Sequence, residues 1–165
     1  MTTLDPRLKA YSLSAAVFAL DRVTKSFIES HVSPFDVHSV IPGFFDIVHS
    51  QNRGVAFGIL NESTSPWRTV VLIVFAAVAL VLVAGLIWKA SRLDRWTTTG
   101  LALVLGGAAG NLYDRILWGR VTDFLEFYIG EYHWPTFNVA DSCIVIGSGL
   151  LLLELLRPKR QPAGA

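Results

Sequence analysis

Leu105-Gly106-Gly107-Ala108-Ala109-Gly110-Asn111-Leu112-Tyr113-Asp114-Arg115 closes a long uncharged run and ends in an Asn, an Asp and an Arg. Val121-Thr122-Asp123-Phe124 follows closely. An apolar run of this length is a candidate membrane helix. Carboxylates at the mouth of such a helix are costly unless paired or functional, so Asp114 and Asp123 are candidate site residues. Fold and function then turn on which other segments bring polar groups to the same depth.

Uncharged runs dominate the composition. Of the 165 residues, 52% are hydrophobic and only 16% charged, and the mean hydropathy is +0.48. A soluble domain carries about a quarter charged residues, so the deficit points to an integral membrane protein. A net charge of +1 argues against nucleic-acid binding, which calls for a basic patch or stripe. The one cysteine, Cys143, excludes an internal disulfide and a Cys-rich metal site. His31, His38, His49 and His133 lack metal-ligand spacing, and neither a metal nor another cofactor is predicted. The length suits a single domain, residues 1–165,.

Working outward, residues 69–88 carry no charge and are long enough to cross a bilayer, and 96–113 form the next such run,. A last span covers 138–156, with Asp141 in its first turn. The first covers 10–28; Asp21, Arg22 and Lys25 stand where a signal peptide would have small cleavage-site residues, so a retained helix is predicted,. The connections are 29–66 and 114–137. In the first, 44–50 has strand-like composition and 55–60 reads as a second strand or an interfacial segment. The second is rich in aromatics suited to a membrane interface: Trp118, Phe124, Phe127, Tyr128, Tyr132 and Trp134,.

Charge orients these spans. Arg7, Lys9, Lys89, Arg92, Arg95, Arg157, Lys159 and Arg160 fall on one side by alternation, eight of the fourteen Lys and Arg residues. Short basic loops stay in the cytoplasm. Four helices are therefore predicted, with both termini inside and 29–66 and 114–137 outside. On this layout Asp21, Asn111, Asp114, Arg115, Asn138 and Asp141 all lie toward the outer face, joined by Asn52 and Asp123 from the two connections.

The motifs leave alternatives open. Gly106-x-x-x-Gly110, flanked by Gly107 and Ala109, offers a small face for close helix packing. Asn111, Asp114 and Arg115 share a helix face at i, i+3 and i+4, and Asp114 reads as the interfacial ion-pair partner of Arg115. Asn138 and Asp141 fit either an N-cap with a dipole-stabilised acid or a functional pair, and Asp123 either an ordinary loop acid or a functional one. Together Asp123 and Asp141 suggest an aspartyl dyad: two close acids cannot both ionise easily, so one keeps a proton while the other acts on water. Such a pair can hydrolyse a peptide bond without a covalent intermediate. Cys143 has no His nearby in sequence and reads as packing, and no Ser sits in a Gly-x-Ser-x-Gly elbow. The alternative from another class is a small ion-coupled transporter or a membrane scaffold with structural acids. The acids cluster at one face, however, and form no relay across the bilayer.

Five stretches occurring in one order resemble the lipoprotein signal peptidase (signal peptidase II) family: Asp21-Arg-Val-Thr-Lys25, Asn52-Arg-Gly-Val-Ala-Phe-Gly58, Gly106-Gly-Ala-Ala-Gly-Asn-Leu-Tyr-Asp-Arg115, Val121-Thr-Asp-Phe124 and Phe137-Asn-Val-Ala-Asp141. Arg22 departs from the pattern, where a neutral residue such as Gln is expected. The resemblance implies a mainly α membrane protein of four transmembrane helices, both termini cytoplasmic. It adds a small extracytoplasmic β-sheet from the first connection and a periplasmic interfacial helix or loop, with a mobile segment of the second connection over the site. It implies an aspartic endopeptidase of the bacterial inner membrane, active near the outer face, that cuts prolipoproteins just before a diacylglyceryl-modified cysteine. Asp123 and Asp141 would be catalytic; Asp21, Asn52, Gly54, Asn111, Asp114, Arg115 and Asn138 would line or support the site. Expected partners are the prolipoprotein, membrane lipids and globomycin-type inhibitors, with the protein a monomer.

Overall fold

The computed structural model describes residues 5–54, 66–90 and 93–157. Its elements run α1 (Pro6–His31), β1 (Val37–Ile41), β2 (Phe45–Asn52), α2 (Pro66–Ile87), α3 (Arg95–Trp118), β3 (Val121–Ile129), β4 (Tyr132–His133) and α4 (Val139–Leu156). The suggested strand or interfacial segment at 55–60 lies outside the described residues.

Local chemistry sets the helix ends. The Asp94 carboxylate caps α3 by accepting from the N–H groups of Trp96 and Thr97 at 2.8 and 2.9 Å, which satisfies donors with no partner inside the helix. Gly119 ends it at φ +65°, a left-handed conformation that glycine adopts without strain,. Asn138 caps α4 and forms a reciprocal capping box with Asp141,.

Two stretches, Thr69–Ile87 and Val139–Leu156, are long and apolar enough to cross a membrane, with mean hydropathies of 3.3 and 2.0. Both leave apolar side chains outward, among them Val74, Phe75, Val81, Val145, Leu153 and Leu155. A surface of this kind suits lipid, not water. Helices α1 and α3, with 26 and 24 residues, are as long but turn their polar groups inward. Asp21, Lys25, Asn111 and Asp114 are buried while Leu20, Val23, Phe27, Ile116 and Leu117 are exposed.

Helix α3 packs against α1, α2 and α4, and its glycines permit this, as the small-residue pattern predicts. A Cβ on Gly106 would meet the Ser14 carbonyl oxygen and Val17 of α1. One on Gly107 would run into the Ala140 carbonyl oxygen of α4, and one on Gly110 into the Asp21 carboxylate.

The four strands form one antiparallel sheet in the order β1-β2-β3-β4. This differs from the expectation of a sheet from the first connection and a covering segment from the second. Residues 121–129 supply its third strand, because apolar and aromatic side chains dominate there and one edge of β2 is free to pair. Asp123 accordingly lies within a strand and not in a loop. Phe137 pairs with Leu125 through two backbone hydrogen bonds of 2.9 and 3.1 Å, tying β3 to the residue just before α4. Ile28, Val32 and Phe124 form a small core with Ile47, Leu125 and Val139, which fixes the sheet against the ends of α1 and α4.

Candidate active site

Sheet register starts the site. Ser50 of β2 faces Asp123 of β3, after an irregularity between Ile47 and Ser50 that re-aims the strand,. Asn52 then reaches Asp123: its Nδ2 donates to Oδ2 at 3.1 Å. The Asn52 amide is set from behind, since its Oδ1 accepts the Gly54 N–H at 2.8 Å. Gly54 has φ +110°, which explains why glycine stands at this turn.

The second acid comes from the helix start. Asp141 Oδ1 accepts from Asn111 Nδ2 at 2.7 Å, and its Oδ2 from the Asn138 backbone N–H at 3.3 Å. Asn138 is fully buried and joins the two acids: its Oδ1 accepts the Asp141 N–H at 2.9 Å while its Nδ2 donates to Asp123 Oδ1 at 2.7 Å. The two readings of Asn138 merge, because one side chain both caps the helix and reaches an acid.

Asp123 is 1% exposed. Burial, and then the charge of Asp141, raise its pKa from 3.8 to about 6, against the hydrogen bonds from Asn52 and Asn138,. Asp141 is only partly buried, so one acid is sequestered and the other is open to an approaching molecule. Arg115 is near enough to act electrostatically on Asp141, Asp123 and Asp114. Its Nη1 donates to the Asn111 carbonyl at 3.4 Å, and its buried Nε has no hydrogen-bond partner among the described residues.

Asp21 and Asp114 stand one layer further in. Asp21 Oδ1 accepts the Ala140 N–H at 3.0 Å, which holds the start of α4. Asp114 pairs with Lys25 at 2.8 Å and with Arg22, which corrects the expected pairing with Arg115. On α3 the Arg115 side chain lies toward the two acids, whereas α1 brings its cations to Asp114. Arg22 also lies over the rings of Tyr113 and Trp118, 5.1 and 4.8 Å from their centroids, so the one departure from the family pattern is built into the structure. Lys25, 0% exposed and paired with Asp21 at 2.8 Å, joins this network although it is not among the predicted site residues. Its i, i+4 spacing from Asp21 inside an otherwise apolar helix was the available signal.

The nine predicted site residues thus fall into one connected region. A pair of carboxylates held by amide donors, one mostly removed from water, can share a proton and act on a water molecule.

The chain is similar to known proteins over most of its length. Residues 13–157 match the family model described as signal peptidase (SPase) II. A lipoprotein signal peptidase of Solibacter usitatus (strain Ellin6076) is 62% identical over 96% of this chain and 97% of its own. Another, from Oleidesulfovibrio alaskensis, is 44% identical over 90% and 95%. Two solved structures of a bacterial membrane enzyme, determined by the in meso method, superpose with TM-scores of 0.80. One is 28% identical over 93% of this chain and 94% of the other; the second is 30% identical over 92% and 94%. The protein belongs to the signal peptidase II family.

Proposed function

We propose that this protein is an aspartic endopeptidase that removes the signal peptide from diacylglyceryl-modified prolipoproteins, with Asp123 and Asp141 as its catalytic pair. One observation carries the reading: a carboxylate from β3 and one from the start of α4 converge, each held at Oδ1 by a side-chain amide at 2.7 Å.

In the reaction, the pair carries one proton. The ionised acid takes a proton from water as the water oxygen attacks the scissile carbonyl carbon, and the protonated acid gives its proton to the carbonyl oxygen. Collapse of the gem-diol passes a proton to the leaving nitrogen and breaks the C–N bond. The products are a new carboxyl on the signal peptide and a free amine on the lipidated cysteine. A substrate seated over the pair excludes water, which favours retention of that proton. Arg115, with a spare donor beside the acids, suits a substrate carbonyl, and Asn52, Gly54, Asn111 and Asn138 hold the acids in place. Asp21 and Asp114 anchor the supporting helices.

On this reading residues 1–165 form one membrane domain whose four helices all span the bacterial inner membrane, with both termini cytoplasmic and the pair near the outer face. A lipid-anchored substrate brings its scissile bond to that depth, and globomycin-type inhibitors would compete there. The protein acts as a monomer.

The test is a gel-shift assay with purified protein and a diacylglyceryl-modified prolipoprotein, beside its unlipidated form, in the presence of chelator. Only the lipidated form is expected to be cut, and Asp123→Asn should lower turnover by at least about 10²- to 10⁴-fold. Full turnover by a folded Asp123→Asn protein would overturn the assignment.

A further inference from the structure

We propose that Lys25 is a positioning residue: its ammonium fixes which way round the Asn111 amide stands, and so presents an N–H to Asp141. The inference rests on the reading of Asp123 and Asp141 as the catalytic pair.

Lys25 Nζ lies 2.8 Å from Asp21 Oδ2, 2.8 Å from Asp114 Oδ2 and 2.9 Å from Asn111 Oδ1. An ammonium has donors and no acceptor, whereas a carboxamide has a donor end and an acceptor end. Turning the Asn111 NH₂ toward Lys25 would set donor against donor in a buried site, so Oδ1 must face the lysine. The NH₂ is then left for Asp141 Oδ1, at 2.7 Å. Asn138 Nδ2 reinforces the choice at 3.2 Å from the same Oδ1.

Of the three side-chain amides that donate to the acids, Asn138 and Asn111 are thus set by different devices. Asn138 cannot reverse, because its Oδ1 accepts a backbone N–H, that of Asp141. Among the described residues Asn111 makes no such bond to backbone through its side chain, and its polarity rests on two donors to Oδ1, Lys25 at 2.9 Å and the longer contact from Asn138 at 3.2 Å. A reversed Asn111 would point a carbonyl oxygen at Asp141 and repel the carboxylate.

Charge balance alone does not account for the arrangement. Asp21 and Asp114 are matched by Lys25 and Arg22, and that balance needs only contact with carboxylates. The third contact, to Asn111, is the one that reaches the catalytic pair.

A double-mutant cycle tests this. The paired exchange Lys25→Met with Asp21→Asn removes the ammonium and one carboxylate together, so net charge is kept, and an asparagine carbonyl can still accept the Ala140 N–H. Turnover per folded molecule is measured for wild type and the paired exchange, each with and without Asn111→Ala. The paired exchange is expected to lower kcat by about 10- to 100-fold when Asn111 is present and to cost little more once it is gone. Equal losses in both backgrounds, or none in either, would overturn the proposal, because a structural lysine acts regardless of Asn111.

Lys25→Gln with Asp21→Asn is the second variant, since its amide can donate to Asn111 Oδ1. It should stay within about tenfold of wild type, given the worth of a single hydrogen bond to a charged network; a folded glutamine pair as inactive as Asp141→Asn overturns the role. Asp141→Asn is run alongside. Turnover by that variant removes the catalytic-pair reading itself, whereas its inactivity with additive lysine losses removes only the role given to Lys25.

Discussion

At Asp123, a carboxylate in β3 meets Asn52, Asn138 and the charge of Asp141 with almost no water. Burial, and after it Asp141, raise the pKa from 3.8 to about 6. A carboxyl that holds its proton more firmly folded than unfolded adds stability below its unfolded value, and that contribution is lost as pH rises through the folded one. The unfolding midpoint of the wild-type protein in detergent should therefore carry a component that falls between about pH 4 and pH 6. Its size is about 3 kcal/mol, and Asp123→Asn should lack it. Thermal unfolding of both proteins across that range reads the difference, and identical pH slopes would contradict it. The acids and their asparagines were legible in the sequence because a carboxylate or amide at the mouth of an apolar run is conspicuous. Arg22 and Lys25 were harder to place. A cation in a weakly apolar span reads as a surface residue until its partner is known, and Arg22 and Asp114 are 92 positions apart.

Helix α3 illustrates how small side chains set the position of the site. Gly107 packs so closely on α4 that any Cβ would run into the Ala140 carbonyl oxygen, one residue from Asp141. Gly149, on α4 itself, has nothing within 4 Å of an added Cβ. The same chemical change should then have opposite results. Gly107→Ala must push α3 and α4 apart and is expected to destabilise by about 1–3 kcal/mol and to lower turnover, because Asp141 moves with its helix. Gly149→Ala should be neutral or slightly stabilising, since alanine is the better helix former. Unfolding midpoints and turnover of the two variants decide this, and equal behaviour would show that the glycine contact does not position α4. Close packing was readable from Gly106-x-x-x-Gly110, but its partners were not. The sheet was only half readable: 44–50 announced a strand, whereas 121–129 hid one behind Asp123 and an aromatic-rich composition equally suited to an interface. What completes β3 is long-range, the pairing with β2 and the bonds to Phe137, and no local pattern encodes it.

On the scale of the whole molecule, the acid pair lies at one end and the short basic segments that flank the helices lie at the other. The sheet, the acid pair and the cluster of Ile28, Val32 and Phe124 occupy the end where α1 finishes and α4 begins. The core of Ala10, Ile87, Leu101 and Ala102 marks the other end, where Arg7, Lys9, Lys89, Arg95 and Arg157 are found in sequence. Retention of short basic segments in the cytoplasm would put the acids at the outer face, the side that the proposed function requires. Cys143 is the only native cysteine, so a Cys143→Ser background allows single labels to be read cleanly. In that background Ser39→Cys in β1 and Glu131→Cys between β3 and β4, both at exposed positions, should react with a membrane-impermeant maleimide on cells with a permeabilised outer membrane. Lys89→Cys, exposed just after α2, should react only once the inner membrane is opened. The reverse pattern would put the acids on the cytoplasmic side, and the sheet would then have to meet its substrate before export. Labelling of all three from outside would mean that α2 does not cross, leaving its apolar surface for some other partner than lipid.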